Sequence, residues 1–92
     1  TKTIFITGGS RGIGEAVVRL AAGNYNVAFT YNSSKEKALS LQNALNSRFG
    51  GVLAIECDVT NPDSVATAVE TAKKRFGKID ILVNNAGIAK SG

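Results

Sequence analysis

Between an apolar run, Thr3-Ile4-Phe5-Ile6-Thr7, and a helical pattern lies the turn Gly8-Gly9-Ser10-Arg11-Gly12-Ile13-Gly14. No other feature limits the fold as strongly. Glycine is needed where a chain reverses sharply, where backbone must approach a ligand, and where a helix abuts a strand. At the helix start, N–H groups without intrahelical partners and the positive end of the dipole attract an anion such as a diphosphate. A P-loop is excluded, because Glu15 stands where that motif needs lysine after Gly14. The Gly-x-Gly-x-x-Gly spacing also fails; what is present is Gly8-x-x-x-Gly12-x-Gly14.

Three more short apolar runs follow: Val27–Tyr31, Val52–Ile55 and Ile79–Val83. Their β-branched and aromatic content and nearly continuous hydrophobicity predict strands of a parallel sheet covered on both faces. Helical patterns separate them. Ile13, Ala16, Val17 and Leu20 form the first apolar stripe, and Ala38, Leu41, Leu45 and Phe49 the second, with a capping box from Ser33 and Glu36. Val65, Ala68, Val69, Ala72 and Phe76 form the third, opened by Asn61 and Pro62 and closed by Gly77. The order β-α-β-α-β-α-β predicts an α/β, Rossmann-like, doubly wound parallel sheet: four strands in the order 3-2-1-4 and three helices.

Composition narrows the function. A chain of 92 residues with no histidine and one cysteine argues against a zinc site and an internal disulfide, and fits a reducing, cytoplasmic setting. Cys57 reads as a small core residue. No apolar run reaches the roughly 20 residues of a membrane span. The net charge of +4 suits a polyanionic ligand, but only Lys73-Lys74-Arg75 cluster, so nucleic acid is not expected as a partner.

The turn resembles the Thr-Gly-x-x-x-Gly-x-Gly signature of the short-chain dehydrogenase/reductase family. Cys57-Asp58-Val59-Thr60 after the third strand, Gly77–Val83, and Asn84-Asn85-Ala86-Gly87 after the fourth are similar to further elements of that family, in the same order. Within it, Gly9–Gly14 and Tyr31–Lys35 look most like 3-oxoacyl-[acyl-carrier-protein] reductases, enzymes of fatty acid biosynthesis. The stretch Leu20–Val27 is one residue shorter than usual, so the first helix is expected to end early.

The resemblance implies an oxidoreductase that reduces a carbonyl by hydride transfer, and a nicotinamide cofactor bound by Gly8, Ser10, Arg11, Gly12, Ile13, Gly14, Tyr31, Asn32, Ser33, Asp58, Val59, Asn84, Ala86 and Gly87. Relatives that use NAD place a carboxylate at the end of the second strand. Here Thr30-Tyr31-Asn32-Ser33 has none, while Arg11 could grip a 2′-phosphate with Asn32, Ser33 and Lys35 nearby, so the expected cofactor is NADP(H). Asp58 is read as an adenine contact, with a turn cap as its alternative.

The family's catalytic serine, tyrosine and lysine lie beyond the Asn-Asn-Ala-Gly element. Residues 1–92 are therefore expected to be the N-terminal dinucleotide-binding part of one domain, inactive alone and without catalytic residues. Tyr31 and Lys35 have the Tyr-x-x-x-Lys spacing, but at the adenosine end. An unpaired fourth strand implies association, with the missing C-terminal half or another copy; a non-catalytic half-domain joined through that edge is the alternative.

Overall fold

The computed structural model describes residues 1–10 and 12–85. The elements are β1 (Thr3–Thr7), α1 (Gly12–Ala21), β2 (Asn26–Tyr31), α2 (Lys35–Arg48), β3 (Val52–Glu56), α3 (Pro62–Phe76) and β4 (Ile81–Asn84). All pairings are parallel and the strand order is β3-β2-β1-β4, as expected. Parallel pairing brings the C-terminal ends of the strands to one edge of the sheet.

The two faces are divided by strand alternation. Ile4 and Ile6 of β1, with Val27, Phe29 and Tyr31 of β2, pack against Val18 of α1 and Ala38, Leu41 and Leu45 of α2. Phe5 and Ala28 point the other way, onto Cys57 and onto Ala68 and Ala72 of α3. Cys57 is thus a buried core residue.

α3 begins and ends where its residues dictate. The Asn61 side chain accepts the N–H groups of Asp63 and Ser64, Pro62 occupies the first helical position, and Gly77 closes the helix at φ 91°.

Four expectations need correction. The inward face of α1 is Gly14, Val18 and Ala21, whereas Ile13 is 70% and Leu20 80% exposed. The cause is Gly14: a Cβ there would lie 2.1 Å from the Gly8 carbonyl oxygen, so this side of the helix is pressed against the turn and its rotation is set. Of the expected stripe only Val17 packs on the core. Secondly, α2 starts one residue late for a Ser33–Glu36 box; Ser34 is its N-cap, without a side-chain cap bond.

Thirdly, Phe49 caps the end of α2 instead of continuing its buried stripe; its ring closes on Gly23, where a Cβ would come within 2.7 Å. Fourthly, β4 begins at Ile81, not Ile79. Asp80 ends the ladder there, because its carboxylate takes the Thr3 N–H at 2.8 Å while its own N–H donates to the Thr3 carbonyl at 2.9 Å. α1 ends at Ala21, followed by a bridge between Ala22 and Tyr25.

Candidate functional site

The glycine turn is bound to both neighbours of β1. The Gly8 N–H donates to Thr30 Oγ1 at 2.9 Å and the Gly9 N–H to the Thr30 carbonyl at 3.0 Å, which fastens the turn to the end of β2. On the other side, Asn85 Nδ2 donates to the Gly8 carbonyl at 3.0 Å and the Asn85 N–H to Thr7 Oγ1 at 3.0 Å. Thr7 Oγ1 also meets Asn84 Oδ1 at 3.2 Å. Gly8 and Gly12 hold φ of 71° and 61°, where L side chains are strained. A Cβ at Gly12 would meet nothing within 4 Å, so the backbone at the start of α1 faces open space.

The first-turn N–H groups of α1 have no carbonyl one turn earlier in the helix to accept them. Gly12, Ile13 and Gly14 carry such donors at the positive end of the helix dipole, just after β1, the strand that lies between β2 and β4. This is the place at which open parallel sheets take ligands. The fit to a nucleotide diphosphate rests on that cradle of glycine backbone.

The other expected residues fall on the same edge. Asn32 and Ser33 are exposed directly after β2, Asp58 and Val59 are exposed shortly after β3, and Asn84 ends β4. Ser10 is buried in the turn. A recess of about 240 Å³ between the sheet and α3 is lined by Phe5, Thr7, Val59, Val65, Val69, Leu82 and Asn84. Arg11, Ala86 and Gly87, also expected at the site, lie outside the described residues.

Two of the expected residues also have structural roles. The Tyr31 side chain is 7% exposed and belongs to the core beneath α2, so only its backbone borders the edge. Asp58 Oδ1 accepts the Thr60 hydroxyl at 2.6 Å and the Thr60 N–H at 3.0 Å, and the Asp58 N–H donates to Ser64 Oγ. These bonds make it a turn cap, and the Thr60 hydroxyl, then the Thr60 N–H, hold its carboxyl below the usual range.

Thr30 and Asn85 were not among the expected site residues, although they orient the turn. Their signals were a hydroxyl in an otherwise apolar strand and the second asparagine of the Asn84-Asn85 pair.

The fold is a doubly wound, Rossmann-like α/β unit of four parallel strands. The family profile for short chain dehydrogenases matches residues 2–92, and the chain belongs to that family. It is 40% identical over 91 residues to 3-oxoacyl-[acyl-carrier-protein] reductase FabG of Staphylococcus aureus, covering 98% of this chain and 37% of the relative. Among solved structures, a short-chain dehydrogenase/reductase from Serratia marcescens superposes with a TM-score of 0.86 at 44% identity, over 91% of this chain and 35% of that one. A blue fluorescent protein from a metagenomic library, in complex with NADPH, matches with a TM-score of 0.83 at 44% identity, over 88% and 34%. The chain thus spans just over a third of the length of these relatives.

Proposed function

We propose that residues 1–92 form the adenosine-side portion of the nucleotide site of an NADP(H)-dependent oxidoreductase that reduces a carbonyl. A 3-oxoacyl thioester is the substrate class suggested by the similarity to the staphylococcal reductase. The observation that carries the reading is the glycine cradle, with Gly14 abutting Gly8 and open space at Gly12. In this reading the N–H groups of Gly12, Ile13 and Gly14 hold the diphosphate. Arg11, Asn32 and Ser33 take the 2′-phosphate, and Asp58 and Val59 face the adenine beside the recess. Asn84, Ala86 and Gly87 border the cofactor toward its nicotinamide, which supplies or accepts the hydride. The absence of a carboxylate in Thr30–Ser33 supports NADP(H) over NAD(H).

Titration of the chain with NADPH and NADH, followed by nucleotide fluorescence, tests this. NADPH should bind about tenfold or more tightly, as expected for an added phosphate held by charge-assisted bonds. Equal affinities would remove the NADP(H) preference, and no binding of either would remove the nucleotide reading. Residues 1–92 alone should not consume NADPH with a 3-oxoacyl thioester; turnover would mean that a proton donor lies among them.

A second reading concerns association. Among the described residues β4 pairs only with β1, and Leu82 on this strand is 66% exposed. An apolar strand edge of this kind favours pairing with further chain, either the remaining part of a longer reductase or a second copy. Sedimentation of the 92-residue chain tests the second possibility: a concentration-dependent dimer supports it, and a monomer throughout argues against it.

A further inference from the structure

Glu15 directly follows the last glycine of the turn and stands in the first turn of α1. Its side chain is half-buried, with Oε2 2.9 Å from Arg19 Nη2 and Oε1 3.3 Å from Lys37 Nζ. The Arg19 pair is an ordinary contact along one helix. The Lys37 pair is different, because Lys37 lies in the first turn of α2, just beyond the exposed Asn32 and Ser33. It therefore joins the starts of two helices beside the end of β2, where the proposed site would receive a 2′-phosphate. The Arg19 hydrogen bond is the main reason that the Glu15 carboxyl lies below its usual range; desolvation opposes it and Lys37 adds to it, and the group is ionised at neutral pH.

We propose that Glu15 is a specificity-determining residue that weakens the grip on a 2′-phosphate by occupying Lys37 and placing a negative charge beside the turn. This rests on the nucleotide reading above. The ammonium of Lys37 is a mobile point charge on a four-carbon stem, rooted one turn from Asn32 and Ser33. A 2′-phosphate arriving there competes with the Glu15 carboxylate for it and is repelled by that carboxylate. An AMP-like ligand, lacking that phosphate, does neither. The charge of Glu15 thus acts on the difference between the two ligand types more than on nucleotide binding as such.

The test uses adenosine 2′,5′-bisphosphate and AMP as probes, with calorimetric titration of the unmodified chain, Glu15→Gln, Lys37→Met and the double variant, each checked for an unchanged circular dichroism spectrum. Glu15→Gln should tighten the bisphosphate by about three- to tenfold and leave AMP within about twofold, the gain shrinking in high salt. Lys37→Met should weaken the bisphosphate and remove most of the gain in the double variant. An unchanged bisphosphate affinity in Glu15→Gln, an equal shift for both probes, or a full gain persisting without Lys37 would each overturn the proposal. If the unmodified chain binds neither probe, the nucleotide reading has itself failed and this inference falls with it.

Discussion

At Gly14 the limits on side-chain size are set by backbone: an added Cβ would stand 2.1 Å from the Gly8 carbonyl oxygen and 2.7 Å from Asn85 Nδ2. Neither partner can retreat easily, because each belongs to the bonds that fasten the turn to β4. This role was legible in the sequence, since a glycine at that spacing has few other uses. Thr3 shows the opposite case. Read from its neighbours it is merely the first residue of a strand, but it is fully buried and its Oγ1 has no hydrogen-bond partner among the described residues. Burying an unpaired hydroxyl costs about 1 kcal/mol or more, whereas a methyl of similar shape costs nothing of that kind. Thr3→Val should therefore stabilise the chain by about 1 kcal/mol, read as a higher urea midpoint at unchanged slope. A lower midpoint would mean that the hydroxyl is satisfied in solution. The placement of the Tyr31 ring was not legible for a related reason: strand alternation sends it under α2 and leaves its backbone at the site edge, and the side of the sheet to which a residue points depends on register, not on identity.

The two edge strands are treated differently. β3 would present unpaired backbone groups along its outer side, but α2 reaches over and takes those of Val52 and the N–H of Ala54. Asn46 accepts the Val52 N–H and donates to the Val52 carbonyl, both at 2.8 Å, and Gln42 accepts the Ala54 N–H at 2.8 Å. A helix side chain that completes a strand edge protects it from pairing with another chain. None of this was legible beforehand, because Asn46 and Gln42 read as polar positions on a surface helix and their targets come from the next element. α3 was legible throughout, since its cap, its proline and its closing glycine are local signals. The face of α1 was misread because a tertiary contact, Gly14 on Gly8, overrode the apolar stripe. Asn46→Ala should leave both polar groups of Val52 without their protein partner and cost about 1–2 kcal/mol, measured by urea unfolding. The loss should exceed that of an alanine at neighbouring Asn43, whose exposed side chain accepts a hydrogen bond from Gln42. Equal losses would mean that water replaces Asn46 without penalty.

For the molecule as a whole, the bonds that close the sheet join distant parts of the chain, and some depend on charge. The carboxylate of Asp80 accepts the N–H of Thr3 across 77 residues and ties the start of β4 to the start of β1. That bond is the main reason its carboxyl titrates below the usual range, with Lys78 and Lys2 adding to it and desolvation opposing. Asp58 and Glu15 are shifted in the same direction by Thr60 and by Arg19 with Lys37. When a folded-state pKa lies below the unfolded one, the unfolded chain binds the proton first, so acid favours unfolding. The stabilisation is complete above the unfolded values of about 4 and is lost as pH falls through the lower folded values. Urea midpoints should accordingly be flat from neutrality to about pH 5 and fall steadily below it. Rising net positive charge in acid contributes to such a fall in any basic protein, so the discriminating comparison is Asp80→Ala. That variant should be less stable than the unmodified chain at pH 7, and the gap should narrow as the pH falls below about 4. A gap that stays constant with pH would assign Asp80 a packing role and leave the closure of β4 on β1 to the backbone ladder alone.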